Sequence, residues 1–226
     1  MGKLLGVYVF GSVARGDLDP RSDLDLLAVV ADGKGKVDEG NVYAYIPPEL
    51  SNLEASISWY GRRRLRAMFE NGELFGWHLY QEAIPLFETE PVMQELGRPA
   101  PYRDAEADVA SFEKVLSGIP EQLDASPENA VYELGLVYVC LRNICMAASS
   151  KLCDRPDFSR YSPFRLNGFP AVPLTPDEYD LAMSCRMAGQ RGMRPPSPVS
   201  QPLVADIYGR LAPWITELRQ RLGRDQ

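Results

Sequence analysis

The stretch FGSVARGDLDPRSDLDLLAVV, residues 10–30, decides the fold of the first part of this chain. It follows the β-prone run LLGVYVF at 4–10 and ends in DLDLLAVV at 23–30, which is apolar on both faces apart from two aspartates. Such runs are typical of strands buried in the middle of a sheet. We therefore predict two central strands, joined by a Gly-Ser turn and a short basic loop, with two carboxylates where the second strand begins.

The two carboxylates, Asp23 and Asp25, are two positions apart on the second predicted strand. Because successive side chains of a strand alternate between its faces, both carboxylates point the same way, while Leu24 points to the core. Carboxylate oxygens are ligands that Mg²⁺ prefers, so the pair can hold one or two divalent cations. The spacing therefore predicts a cation site at the start of this strand.

The Gly-Ser turn before the basic loop has the properties of an anion cradle. Gly11 lets the backbone approach a ligand closely, and Ser12 offers a hydroxyl group. Backbone amides at the start of the helical turn that follows favour a negative charge. A phosphate group bound there would lie opposite the two carboxylates.

Two arginines give the loop its positive charge. Arg15 supplies a planar donor fork suited to a phosphate, and Arg21 adds a second charge. Arg15 has an alternative interpretation, a surface ion pair with Asp17 or Asp19, which contributes roughly 0 to 1 kcal/mol. The sequence alone leaves both roles of Arg15 open.

A cation held by two carboxylates opposite a phosphate cradle suits phosphoryl or nucleotidyl transfer, where catalysis consists mainly of positioning and charge neutralisation. The pattern G-S-x-A-R-G followed by S-D-x-D-L resembles the signature of the polymerase-β-type nucleotidyltransferase superfamily, and most closely its minimal and aminoglycoside-type branches. The resemblance covers residues 5–30 closely and 4–88 loosely. The matching positions are Gly11, Ser12, Ala14, Arg15, Gly16, Ser22, Asp23, Asp25 and Leu26.

The resemblance implies roles for individual residues. It implies that Asp23 and Asp25 ligate two Mg²⁺ ions. A third carboxylate ligand is expected on a later strand, where Glu54 in LEASISWY is the best match and Glu49 in the preceding loop is the second choice. The nucleoside triphosphate, ATP or another NTP, is expected to contact Gly11, Ser12, Arg15 and Ser22.

The resemblance also implies an activity, the Mg²⁺-dependent transfer of a nucleoside monophosphate, AMP from ATP in the first instance, to a hydroxyl group. The acceptor is a small molecule such as an aminoglycoside, or a protein, and pyrophosphate leaves. Glu133, a charge near the start of a strongly apolar helical pattern, is either an ion-pair partner among the helices or a general base for that hydroxyl. Glu54 is the other candidate base.

Two rival interpretations come from other functional classes. One is a catalytically weak nucleotide-binding regulatory module, and the other is an antitoxin-like interaction protein. The first is suggested by the strand predicted from Leu4, because related enzymes carry a helix before that strand and here the helix is expected to be absent or replaced. Binding of nucleotide without any transfer would favour this rival.

The rest of the chain divides by pattern into a mixed part and a helical part. We expect an α+β fold, in which a small mixed-sheet nucleotidyltransferase domain at 1–90 and a proline-rich linker at 91–103 precede an all-α helical bundle at 104–226. Further strands are expected at 42–46, 53–60 and 84–87, and helices at 62–70, 73–83, 104–118, 127–150, 175–190 and 201–223. Helix starts are predicted at Ser126-Pro127-Glu128 and at Thr175-Pro176-Asp177-Glu178, each with a capping hydroxyl, a proline in the first turn and acid at the positive end of the helix dipole.

Composition limits the classes of function. With 45% hydrophobic and 24% charged residues, the chain has the balance of a globular protein. Its 24 basic and 31 acidic residues give a net charge of -7, which argues against nucleic acid as a partner and suits cationic or metal-bound ones. Four cysteines without C-x-x-C spacing and one histidine argue against disulfides and Cys/His zinc sites.

The sequence contains no recognisable signal for export or for membrane insertion. No uninterrupted apolar run approaches the roughly 18 to 20 residues that span a membrane, and the first residues do not have the pattern of a signal peptide. We therefore expect a cytoplasmic protein with no membrane partner. A homodimer stays open, because nothing in the sequence decides the oligomeric state.

Overall fold

The computed structural model describes residues 2–19, 22–33, 37–192 and 198–224. By its contacts the chain divides into two compact units, Met1–Arg103 and Asp104–Gln226. The first unit contains a mixed sheet with helices, and the second is helical. The fold class is therefore α+β, a small mixed-sheet domain followed by a helical region, as the sequence pattern predicts.

The sheet of the first unit is built around the two strands that the opening stretch predicts. Among the described residues, its strands are β1 (Leu4–Phe10), β2 (Leu24–Val30), β3 (Ala55–Gly61) and β4 (Ile84–Glu88), in the order β3-β2-β1-β4. β1 is antiparallel to both β2 and β4, whereas β2 and β3 are parallel. β1 and β2 are therefore the central strands, which explains why both are apolar on both faces.

Helices pack on both faces of this sheet. The first unit contains α1 (Ser12–Arg15), α2 (Gly40–Tyr43), α3 (Arg62–Glu70), α4 (Leu74–Glu82) and α5 (Val92–Leu96). Helices α3, α4 and α5 cover one face of the sheet, and α2 packs on the other through Val42. Residues of α3, α4 and α5 form a core with Leu27 and Val29 of β2, and Leu24 and Leu26 belong to a second core. Because side chains alternate along a strand, Asp25 shares the face of Leu27 and Val29, toward α3 and α4.

The strand predicted at 42–46 is wrong, because the segment contains the helical turn α2 instead. The Asp38 carboxylate accepts a hydrogen bond from the Gly40 amide at 2.8 Å, and the Val42 amide bonds to the Glu39 carbonyl at 2.8 Å. These local bonds start a turn before the β-prone residues, whose propensity depends on a neighbouring strand to pair with. Val42 alone is buried in the core there.

The segment predicted to be a linker, 91–103, differs from that expectation because the structure folds it into the first unit. It contains α5, whose Val92 is 1% exposed, and Tyr102 is 7% exposed. The Trp77 indole donates to the Ala100 carbonyl at 2.9 Å. Its prolines suggest a connector, but its apolar side chains have a core to bury in, so the units divide after Arg103.

The second unit contains the helices that periodicity predicts and one that it does not. They are α6 (Ala105–Leu116), α7 (Ile119–Ala125), α8 (Ala130–Leu152), α9 (Pro176–Arg191) and α10 (Gln201–Arg224). The predicted cap at Thr175 is confirmed as part of a capping box, since the Thr175 hydroxyl accepts from the Glu178 amide and the Glu178 carboxylate accepts from the Thr175 amide. The predicted cap at Ser126 is wrong, because its side chain makes no capping hydrogen bond among the described residues. The helix α7 is too short to show a period and escaped prediction.

The central helix of the second unit is α8, which packs against α6, α9 and α10. By length and composition alone, the helical segment Pro127–Leu152 could cross a membrane. In this protein, however, 56% of its most apolar stretch is buried inside the fold. Gly135 makes close packing with α9 possible, because a Cβ there would lie 3.0 Å from the Arg186 backbone. These contacts are those of a core helix in a bundle.

Candidate active site

The Gly-Ser turn directly follows β1 and packs against the carboxylate of Asp25. Gly11 has φ 74° and ψ -148°, a conformation reserved for glycine, and the Arg15 amide donates to its carbonyl at 3.1 Å. A Cβ at Gly11 would overlap Asp25 Oδ2 and lie 3.2 Å from Asp25 Cγ. Phe10 is the register partner of Asp25 across the two strands. The motif glycine is therefore required by both its backbone and its neighbour.

The predicted carboxylates gather at one end of the parallel strand pair. Asp23 immediately precedes β2, and Asp25 is half-buried between two fully buried leucines. The Leu24 amide donates to the Glu54 carbonyl at 2.9 Å, and Ser56 is the register partner of Asp25. In parallel strands, register neighbours place their side chains on the same face. Glu54, which is exposed, thus stands beside Asp23 at the same sheet end.

The donor set suits Mg²⁺, although a closed metal cage is not preformed. Within the described ranges, no three His, Cys, Asp or Glu side chains are arranged to hold a metal ion. Mg²⁺ is commonly bound through one or two carboxylates, with water and substrate phosphates completing its shell. Asp23 and Asp25 supply that minimum from one strand end, and the assignment of Glu54 as a third ligand stays a prediction.

A carboxylate that the sequence pattern did not predict, Glu82, also binds the motif. Glu82 is the last residue of α4, and its side chain is 8% exposed. Its Oε2 accepts from the Gly11 amide at 3.1 Å, from Arg15 Nη1 at 2.7 Å and from His78 Nε2 at 2.9 Å. Burial would raise the pKa of Glu82, but the hydrogen bonds and charges of His78 and Arg15 outweigh it and lower the pKa.

One feature of the sequence could have pointed to Glu82, its position at the end of a predicted helix. A carboxylate at the C-terminal end of a helix faces the negative end of the helix dipole, and α4 has no basic residue in its last turn. Such a group needs a cation from elsewhere in the fold. Arg15, 67 positions earlier in the chain, supplies it.

Arg15 forms the ion pair with Asp17 that the sequence allows, and it also contacts Glu82, which the sequence did not predict. Its Nε donates to Asp17 Oδ2 at 3.1 Å, and its Nη1 donates to Glu82. Burial opposes the charge, but hydrogen bonds and charges of Glu82 and Asp17 raise the pKa of Arg15 above its ordinary value. Arg21, the second cation predicted in this loop, lies outside the described residues. A phosphate contact by Arg15 stays a prediction.

Ser22 closes the loop between the turn and β2. It is 8% exposed, and its hydroxyl accepts from the Asp19 amide at 3.0 Å while lying 3.2 Å from Asp19 Oδ1. The Ser22 amide in turn donates to the Asp19 carbonyl at 3.0 Å. These bonds give Ser22 a place in the loop's own structure, and its contact with nucleotide stays a prediction.

The fourth predicted catalytic residue, Glu133, belongs to the second unit. It lies in the first turn of α8 and is 4% exposed. This burial raises the pKa of the Glu133 carboxyl group, as expected when a charge is removed from water. A raised pKa suits a group that exchanges protons, and the role of Glu133 as a general base stays a prediction.

Comparison with known proteins gives a family match for the first part of the chain. Residues 2–66 match the family model described as a nucleotidyltransferase domain. A search of curated proteins found no match. Two similar solved structures are a spectinomycin adenyltransferase, AAD(9), from Enterococcus faecialis with ATP and spectinomycin, and a nucleotidyltransferase-like protein from Exiguobacterium sibiricum.

Both likenesses to solved structures are distant. The spectinomycin enzyme is 12% identical, with a TM-score of 0.46, and the alignment covers 97% of this chain and 92% of that one. The second protein is 14% identical, with a TM-score of 0.40, and the alignment covers 97% and 69%.

Proposed function

Because residues 2–66 match a nucleotidyltransferase domain, we propose that this protein transfers a nucleoside monophosphate, AMP from ATP, to a hydroxyl group of an acceptor in a Mg²⁺-dependent reaction. The observation that carries the proposal is the packing of the Gly11 turn against the Asp25 carboxylate. It joins the predicted phosphate cradle and the predicted cation ligand in one compact site. Nucleotidyl transfer needs these two groups side by side.

Each motif residue has a defined task in this reaction. Asp23 and Asp25 would hold Mg²⁺, with Glu54 beside them at the same sheet end. The bound ion would neutralise phosphate charge and activate the acceptor oxygen. The missing side chain of Gly11 lets the turn pack against Asp25, and the Ser12 hydroxyl is a donor for the phosphates. Within the first unit, Glu54 is the candidate base for the acceptor proton.

The negative net charge of the chain supports a cationic acceptor. The chain carries a net charge of -7, and an acidic protein attracts cations over distances of about a Debye length. A cationic, polyhydroxylated small molecule such as an aminoglycoside suits this field better than an anionic acceptor does. A protein hydroxyl is the other acceptor that the proposal includes.

A second candidate function is a nucleotide-binding regulatory module with weak or no turnover. The observation that favours it is the exposure of Glu54, the predicted third ligand, which is open to solvent and not enclosed in the protein as a built catalytic ligand would be. Such a module would bind nucleotide and Mg²⁺ without releasing pyrophosphate. The two candidates therefore differ in turnover and not in binding.

The decisive first experiment is calorimetric titration of ATP, GTP, CTP and UTP into the wild-type protein, with Mg²⁺ and then with a chelator. We expect binding that requires Mg²⁺ and is lost in Asp23→Asn and Asp25→Asn. Asp38→Asn is the matched control, because Asp38 is an exposed aspartate of the same unit whose carboxylate accepts from the Gly40 amide, a bond that asparagine can also accept. Wild-type affinity in the Asp25→Asn variant would refute the proposed cation site.

Turnover is then measured with labelled ATP and a panel of aminoglycosides and candidate protein acceptors, with pyrophosphate release as the readout. Labelled acceptor together with pyrophosphate supports the transferase. Nucleotide binding without either product supports the regulatory module. Labelling that persists in Asp25→Asn would contradict the assignment of the active site.

A further inference from the structure

The Glu82 carboxylate lies at the centre of a hydrogen-bond cluster that includes the Gly11 turn of the proposed active site. Its single oxygen Oε2 receives the Gly11 amide, the Arg15 guanidinium and the His78 ring. We propose that Glu82 is a positioning residue of the nucleotidyl site, which fixes the Gly11 turn against Asp25 without contacting substrate. This inference rests on the proposed function and names a residue outside the 2–66 segment that carries the family match.

The contacts of Glu82 explain how a remote residue sets the geometry of the turn. The Gly11 amide donates to Glu82, while the Asp25 carboxylate fills the space that a Cβ at Gly11 would take. A shift of the Gly11 backbone away from Glu82 would therefore either press on Asp25 or open a gap beside it. The position of the proposed cation ligand depends on the bond to Glu82.

The cluster also limits which hydrogen-bond donors of the turn can bind the nucleotide. The Gly11 amide and Arg15 Nη1 already have a charged acceptor in a largely buried place. Charge-assisted bonds of this kind are shorter and stronger than neutral ones, so they hold the turn in one arrangement. The Arg15 side chain then acts as a brace between α1 and α4, and the Ser12 hydroxyl is left to meet phosphate.

The energetic asymmetry of buried hydrogen bonds makes the role testable. If Glu82 is shortened to alanine, the Gly11 amide and Arg15 lose an acceptor in a place that water reaches poorly. Glutamine keeps a carbonyl acceptor of the same length but no charge. A positioning role therefore predicts a graded effect, with Glu82→Ala more harmful than Glu82→Gln.

The test compares Mg²⁺-ATP affinity in wild type, Glu82→Gln and Glu82→Ala by calorimetry, at a temperature where unfolding curves show all three proteins folded. We expect Glu82→Ala to weaken affinity by at least about tenfold, the size expected when bonds to a charged group are lost, and Glu82→Gln to fall in between. The control Glu73→Ala breaks the exposed bond between Glu73 and Arg64, and we expect unchanged affinity.

A second measurement reports on the turn itself, through amide hydrogen exchange at Gly11. The wild-type Gly11 amide should be protected, and Glu82→Ala should speed its exchange while the amides of β2 keep theirs. Fast exchange of the wild-type Gly11 amide would overturn the proposal even if the variants failed to fold.

The outcomes separate this inference from the proposed function. Wild-type affinity in folded Glu82→Ala would overturn the positioning role and leave the nucleotidyltransferase proposal standing. Absence of Mg²⁺-dependent nucleotide binding in the wild-type protein would overturn both. Loss of affinity in the Glu73→Ala control would also overturn the positioning role, because the effect would then follow from any lost ion pair in the unit.

Discussion

Replacing Gly11 with alanine should damage both stability and nucleotide binding, and a second glycine provides the reference. Gly11 has φ 74° and ψ -148°, and Gly97 has φ 65° and ψ -149°, so the two residues share nearly the same backbone conformation. A side chain in such a region costs on the order of 1–3 kcal/mol. This backbone cost should be similar in Gly11→Ala and Gly97→Ala.

The two positions differ in what surrounds the added methyl group. At Gly97 no described atom lies within 4 Å of the new Cβ. At Gly11 the Cβ would overlap Asp25 Oδ2 and lie 3.3 Å from Asp25 Cβ. Overpacking of this kind costs roughly a further 1–3 kcal/mol, so Gly11→Ala should lower the free energy of unfolding by that much more than Gly97→Ala.

The assay is urea unfolding of both variants, followed by circular dichroism, together with calorimetric titration of Mg²⁺-ATP. Both glycines belong to the first unit, so both changes act on the same unfolding transition. We expect Gly97→Ala to bind nucleotide like the wild type, and Gly11→Ala to lose binding because Asp25 is displaced. Equal losses of stability, or full binding by Gly11→Ala, would refute the reasoning.

Three further predictions concern other parts of the chain. Because the pKa of Glu82 in the folded protein lies below its ordinary 4.5, the ionised group stabilises the fold above about pH 4.5 and this stabilisation is lost as the pH falls through the folded pKa. The stability difference between wild type and Glu82→Gln should therefore shrink in acid, and a pH-independent difference in urea titrations would contradict this. Thr175→Ala should lower the free energy of unfolding by about 1 kcal/mol through the lost cap, and an unchanged unfolding midpoint would count against the capping box. Cys153, which is half-buried, should react with a thiol reagent in the folded protein, whereas burial raises the pKa of the Cys145 thiol and should delay its reaction until the protein unfolds.

The part of the fold that could be predicted is the part in which local sequence and tertiary environment agree. β1 and β2 are apolar on both faces because strands cover both of their edges and cores cover both of their faces. Thr175 and Glu178 mark a helix start with two reciprocal bonds that need no distant partner. In such places the sequence carries the structural information within a few residues.

The missed features depend on distant or competing contacts. The strand predicted at 42–46 has no neighbouring strand to pair with, and an aspartate at 38 starts a helical turn instead. Residues 91–103 have the composition of a linker, but Val92 and Tyr102 are buried because the first unit provides a core for them. Glu82 escaped notice because its partners are 67 and 71 positions earlier in the chain. No local pattern in α4 points to a turn so far away in sequence.

The pairing of β4 with β1 also decides where this protein can be cut for transplantation into a chimaera. A cassette limited to residues 2–66 would include the motif but not β4, and it would leave β1 as a bare edge with both faces apolar. Exposed apolar edges recruit strands from other molecules, so that cassette should aggregate. A cut after Arg103 keeps both neighbours of β1, as well as the acceptor for the Gly11 amide. The module suited to transplantation therefore runs to Arg103, well beyond the 2–66 segment that carries the motif.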